Sequence, residues 1–187
     1  MGTIPTQSAF TSGAVLTSTQ MNQMRAVDNF WAAPPKVYAY ASTATSLPNS
    51  TTTLIAFDTN VVLVANNYDG GGDATQHDIT TNNSRFYART TGKYRIICQA
   101  QFASNATGNR VMNIKKNAAG NFASGTLLFV VSQGAVNGTS TSVNLTTPAF
   151  ALTAGDYVEM FCSQSSGGAL QCGGDITTYL ALELVAS

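Results

Sequence analysis

From Lys36 to the C-terminus the chain is a succession of short apolar or alternating runs, each closed within a few residues by a cluster of Gly, Asn, Ser, Thr or Pro. Residues 37–40, 53–57, 61–64, 84–88, 93–102, 110–116, 126–132, 141–145, 157–163 and 179–185 are the predicted strands, with no helical periodicity between them. A pleated strand buries one face only, so such runs become stable when two sheets close on each other. The spacing therefore predicts an all-β sandwich over 36–187. One connection, 66–83, exceeds the usual loop length; a shorter Ser/Thr/Pro/Asn turn is expected over 45–50.

Composition agrees. Only 10% of residues are charged, yet 44% are apolar, so Thr, Ser, Asn and Gly stand in place of charge and not in place of core. Nine basic and nine acidic residues balance to zero, which excludes a phosphate-binding nucleic-acid partner of the usual kind. The densest basic group, Arg110 with Lys115 and Lys116, reads as a solvated strand end. No apolar run approaches the roughly 20 residues that span a bilayer, and residues 1–7 lack the features of a secretory signal, so no membrane partner is expected. Near-zero net charge favours self-association and suits a building block.

Three cysteines have neither disulfide-framework nor zinc spacing. Cys98 reads as a small buried hydrophobe. Cys162 and Cys172 flank Gly167 and Gly168, and a hairpin there would set them opposite each other, either bridged or reduced.

The pattern changes before Pro34 and Pro35. Thr17 is placed to cap a helix, with Gln20 reaching back in capping-box fashion. Leu16, Met21, Met24, Val27, Phe30 and Trp31 supply an apolar stripe, and the paired prolines end the helix. So short a helix is marginal alone in water, so its stripe must pack on its own domain or on a partner. Residues 1–35 are accordingly read as an attachment segment, extended and then helical, ahead of a 36–187 domain.

No catalytic arrangement emerges. His77, the only histidine, lies in the polar loop near Asp73 and Asp78, without a nucleophile in a fitting pattern. The same loop's Asp69, Asp73 and Asp78 match no calcium-loop spacing, and neither a metal nor a cofactor is expected. Glu159 and Glu183 read as surface or interface positions. Tyr68, Asp69, Asp73 and His77, together with 105–109, are candidates for an exposed binding surface, with plain decoration as the equal alternative; Tyr68 has the aromatic-plus-polar setting that stacks on sugars.

Several motifs fall in a familiar order. Phe57-Asp58, Tyr68-Asp69, the aromatic strand Phe86-Tyr87 entering Gly92-Lys93-Tyr94, the run Leu152-Thr153-Ala154-Gly155-Asp156-Tyr157-Val158, and the apolar strand from Tyr179 to Val185 follow one another. The set resembles the jelly roll of complement globular heads and tumour necrosis factor ligands, without a collagen-like stalk. Gly92 and Gly155 are expected to provide positive-φ turns. The resemblance implies a homotrimer, with Tyr179, Leu180, Leu182 and Leu184 at the threefold contact. The opening, Phe10-Thr11-Ser12-Gly13-Ala14-Val15-Leu16-Thr17 followed by Met21-Asn22, is similar to the first residues of small bacteriophage tail and head proteins. That implies a non-enzymatic virion component assembled in the bacterial cytoplasm. It would be held by other virion proteins and would either bind bacterial surface glycan or serve purely as capsid decoration.

Overall fold

In the computed structural model, residues 5–32, 34–61 and 76–186 are described. Among these residues one helix, α1 (Ser18–Ala32), precedes thirteen strands. They are β1 (Lys36–Tyr40), β2 (Thr45–Leu47), β3 (Thr53–Leu54), β4 (Thr59–Asn60), β5 (Phe86–Tyr87), β6 (Gly92–Phe102), β7 (Asn109–Lys116), β8 (Thr126–Gly134), β9 (Thr141–Thr146), β10 (Phe150–Leu152), β11 (Tyr157–Gln164), β12 (Leu170–Cys172) and β13 (Tyr179–Ala186). Two antiparallel sheets result. The larger runs β2-β12-β6-β13-β1-β4, with β9 and β10 also on β6; the smaller runs β3-β11-β7-β8, with β5 on β11. The chain is a jelly-roll sandwich.

The long strands alternate as the sequence predicts. On β6, Tyr94, Ile96, Cys98, Ala100 and Phe102 point inward and are buried, while Arg95, Ile97, Gln99 and Gln101 face outward. Across the sandwich they meet Met112 and Ile114 of β7 and Val158, Met160 and Cys162 of β11. Cys98 Sγ lies 3.9 Å from Met112 Sδ, joining the two sheets. The three-residue strands β2, β10 and β12 occupy stretches where no period could show, and the turn expected over 45–50 begins as β2.

β13 lies between β1 and β6, in register with both: Leu182 opposes Val37 on one side and Ile96 on the other. This corrects the expectation for the C-terminal strand. Leu180, Leu182 and Leu184 are wholly buried in their own sandwich and cannot reach a second copy. Of the four residues assigned to a trimer contact, only Tyr179 lies on the outward face, alongside Ala181 and Glu183. The cysteine expectation also changes. β12 joins the larger sheet and β11 the smaller, so Cys162 and Cys172 approach each other across the sandwich instead of across a hairpin; both are free and buried.

The ordered motifs acquire physical reasons. Asp58 accepts hydrogen bonds from the backbone N–H groups of Ser42 and Thr43, at 2.6 and 3.0 Å, fixing the turn after β1. The buried Tyr94 hydroxyl donates to the Thr90 carbonyl at 2.6 Å, tying the β6 entry to itself. Gly155, at φ 97°, makes the turn into β11, where Asp156 accepts from Thr153 N at 2.8 Å. Gly92 is not a positive-φ residue; a Cβ there would lie 2.6 Å from Leu184 Cδ1, so glycine is needed because β13 passes so close.

These orientations predict an asymmetry along β13. Leu182→Ala should lower stability by about 2–5 kcal/mol, whereas Ala181→Ser on the same strand should shift it by under about 0.5 kcal/mol. Urea unfolding measures both, and equal effects would mean that β13 is turned the other way.

Candidate functional site

At the N-terminal end the capping box forms as read. Gln20 N donates to Thr17 Oγ1 at 3.2 Å, and Thr17 N donates to Gln20 Oε1 at 3.0 Å. Upstream, Ser8 N donates to Gln23 Oε1 at 3.1 Å, so the extended segment touches the helix that follows it. The predicted stripe divides between two faces. Phe30 is buried in the core cluster and holds the end of the helix to its own domain, while Val27 is half-buried. Met21, Met24 and Trp31 remain 51%, 38% and 36% exposed, and Leu16 lies exposed just before the helix. Of the six residues read as an attachment stripe, Leu16, Met21, Met24 and Trp31 are thus exposed, and Phe30 is not available to a partner. A 15-residue helix presenting this stripe to water is poorly stabilised by itself.

A second feature lies on the outward side of the larger sheet. Register places Tyr38, Ala181 and Ile97 side by side, with Tyr40, Tyr179 and Gln99 in the neighbouring row. The rings of Tyr38 and Tyr179 pack at 5.3 Å, and Arg95 pairs with Glu183 at 2.9 Å at the row's edge. Burial raises the Tyr38 hydroxyl pKa, with Tyr179 and Tyr40 adding to the effect. All of these residues are half-buried in the single chain. The sequence signal for the face was present: period two, applied to β13 with the leucines inward, leaves Ala181 outward. Beside it, β8 ends the smaller sheet as a nine-residue edge without a charged residue, with Leu127 and Val130 49% and 55% exposed.

The polar candidates scatter. Tyr68, Asp69 and Asp73, with the strand predicted over 61–64 beyond Val61, lie outside the described residues. His77 is not an exposed loop residue: it is 1% exposed, its ring stacked on Phe86 at 4.4 Å. Its Nδ1 lies 2.6 Å from Asn60 Oδ1 and its Nε2 2.9 Å from the Asn83 carbonyl, so the imidazole bridges β4 and the turn before β5. No nucleophile faces it among these contacts. Burial lowers its pKa, opposed by the Asn83 carbonyl and by Asp78.

Glu159 is also buried, not superficial. Its carboxylate accepts from Ser84 Oγ at 3.1 Å, Arg85 Nε at 3.3 Å and Gly120 N at 3.1 Å, anchoring the loop between β7 and β8. The basic group is likewise no solvated strand end. Lys115 is 6% exposed, donating to the Phe122 carbonyl beneath that ring, and Arg110 is 0% exposed. The partners of Glu159 come from loops distant in sequence, whereas Arg110 and Lys115 bond to backbone carbonyls of the loops next to their own strand, which composition does not reveal. Among the described residues no group of three or more His, Cys, Asp or Glu side chains is placed to hold a metal, and no helix is long and apolar enough to cross a membrane.

The lowered His77 pKa has a consequence with a definite sign. The unfolded chain binds the proton more readily than the folded one, so stability should fall as pH drops below the ordinary value of 6.5. Urea midpoints measured between pH 7.5 and about 5 should decline for the native protein and decline less for His77→Gln. Parallel curves would place the imidazole in water.

No protein-family model matches the sequence, and no curated protein matches it. Solved structures do. The Eiger tumour necrosis factor of S. frugiperda is 12% identical, aligning 81% of this chain with 92% of its own at a TM-score of 0.54. Murine APRIL at pH 5.0 is 12% identical over 80% of this chain and 98% of its own, with a TM-score of 0.56. Its pH 8.0 structure is 14% identical over the same shares, with a TM-score of 0.55. Likeness at this identity reaches the backbone path and no further: the chain has the jelly-roll fold of tumour necrosis factor ligands.

Proposed function

We propose that this chain is a non-catalytic structural protein of a bacteriophage particle: a homotrimeric appendage whose N-terminal segment seats it on the virion and whose sandwich forms a knob. The observation that carries the trimer is the outward row Tyr38, Ala181 and Ile97, half-buried and largely apolar on the larger sheet. Beside it, β8 leaves backbone donors and acceptors along an uncharged apolar edge, which isolated soluble sandwiches usually protect with charge or proline. An edge set against the face of the next copy, repeated about a threefold, closes a ring and covers both features. The resemblance to tumour necrosis factor ligands supports the same arrangement through their inner sheets.

The attachment role rests on the helix. Met21, Met24 and Trp31 stand exposed on it, Trp31 packed edge-on against the Phe30 anchor at 5.0 Å, and the segment around Phe10 to Asn22 resembles the openings of phage tail and head proteins. Asp28 also lies on the exposed side, so three copies of this helix brought together would crowd three carboxylates. That favours a groove on another virion protein over a self-made bundle.

Light scattering on the full chain should give three times the chain mass, and the double substitution Ile97→Asp with Ala181→Asp should give a folded monomer. A native monomer at micromolar concentration would remove the trimer. Met24→Glu with Trp31→Glu should leave trimers intact but absent from purified particles; normal incorporation would assign attachment elsewhere.

A further inference from the structure

The sandwich has two unlike ends. At one, the helix hands over to β1 at Lys36, in register with Glu183 of β13, which in turn opposes Arg95 of β6. At the other, where β6 and β11 finish, the connections 48–51, 103–108, 135–140 and 165–169 come together. They contain no Asp, Glu, Lys, Arg or His, and their side chains are mostly exposed.

These loops are cross-tied. Gly108 lies at φ +78°, and a Cβ there would sit 1.9 Å from the Ser165 carbonyl oxygen, so the two backbones touch at a point only glycine permits. Asn109 N donates to Ser165 Oγ at 2.9 Å, Ala135 N donates to the Gly108 carbonyl at 2.9 Å, and Gly167 N donates to Asn49 Oδ1 at 2.8 Å. Beneath them are two buried polar side chains. Gln164 donates to the carbonyls of Leu47 and Gly168 at 3.0 and 2.8 Å. Arg110 donates to the carbonyls of Thr107, Asn109 and Asn105 at 3.0, 3.2 and 2.9 Å. It has no carboxylate partner among the described residues, and its Nε has no acceptor there. A buried guanidinium without a counter-charge destabilises the fold, and an apolar plug would close a sandwich end more cheaply. Local rules broken in this way are expected where a surface is held in shape for use.

We infer that this end of the molecule is a binding face for an uncharged glycan. Asn, Ser and Thr side chains offer donors and acceptors together, as sugar hydroxyls do. The one cation is sealed under three carbonyls, and the charged groups that border these connections, Asp175 and Asp58, are carboxylates, so a phosphate or carboxylate ligand meets no counter-charge here. Loops already fixed by Arg110, Gln164 and Gly108 lose little freedom on binding. No aromatic ring lies in these connections, so each site is weak, and useful affinity comes from several copies side by side. In that respect alone the inference rests on the trimer proposed above.

The test uses the full chain on an array of neutral and anionic glycans, with its mass measured in parallel. Ala106→Arg and Asn137→Arg place bulk and charge on the face at residues outside its hydrogen-bonded frame; Ala123→Arg does so at the opposite end. Neutral glycans should be bound, with at least about tenfold loss in the first two variants, none in the third and unchanged melting in all. Binding confined to charged glycans, or equal behaviour of all three variants, would overturn the inference. A trimer that binds no glycan overturns it while leaving the trimer standing; a monomer that binds none overturns both.

Discussion

The position of β13 between β1 and β6 governs much of the molecule. Its three inward leucines fill the centre of the sandwich, where Met112, Ile114 and Met160 of the other sheet close over them. Because side chains on a strand alternate, fixing those leucines inward also fixes Tyr179, Ala181 and Glu183 outward. The surface offered to other molecules is thus a by-product of core packing. A slip of one residue would expose the leucines and bury a carboxylate, so the register is held from both faces at once.

The few carboxylates are used in an unusual way for a protein so poor in charge. Asp58, Asp78, Asp156 and Asp175 each accept backbone N–H groups within or beside a turn. Burial raises the pKa of Asp58, but the hydrogen bonds from Thr43 and Ser42 outweigh it and hold the carboxyl at about 2. Glu159 does the same for the loop after β7. Acids that would ordinarily keep a surface soluble serve here as clamps, leaving Thr, Asn and Ser to meet the solvent.

How far the sequence could be read follows from length and locality. β6, β7, β11 and β13 are long enough for alternation to declare itself, and their ends were placed within one or two residues. β2, β10 and β12 span three residues each and carry no period. The capping box was legible because its partners are three residues apart. The helix phase was less so: Phe30 and Trp31 are adjacent and both aromatic, and only packing decides that the first turns inward. The buried state of His77, Arg110 and Glu159 was hidden for another reason. His77 is held by Asn60 and Asn83, and Glu159 by Ser84, Arg85 and Gly120, groups brought together only by folding, while Arg110 is held by backbone carbonyls of the 105–109 loop beside it.

The cysteines carry one last implication. Cys98, Cys162 and Cys172 are all buried and unbridged; burial pushes the Cys98 thiol up to about 12, and burial beside Cys172 pushes Cys162 well above its ordinary value. Sulfur reacts as thiolate, and neither of these two supplies any at neutral pH. With all three sulfurs enclosed in the sandwich, none is offered to a neighbouring molecule, and the durability of an assembly of such chains depends on packing instead of on cross-links between them.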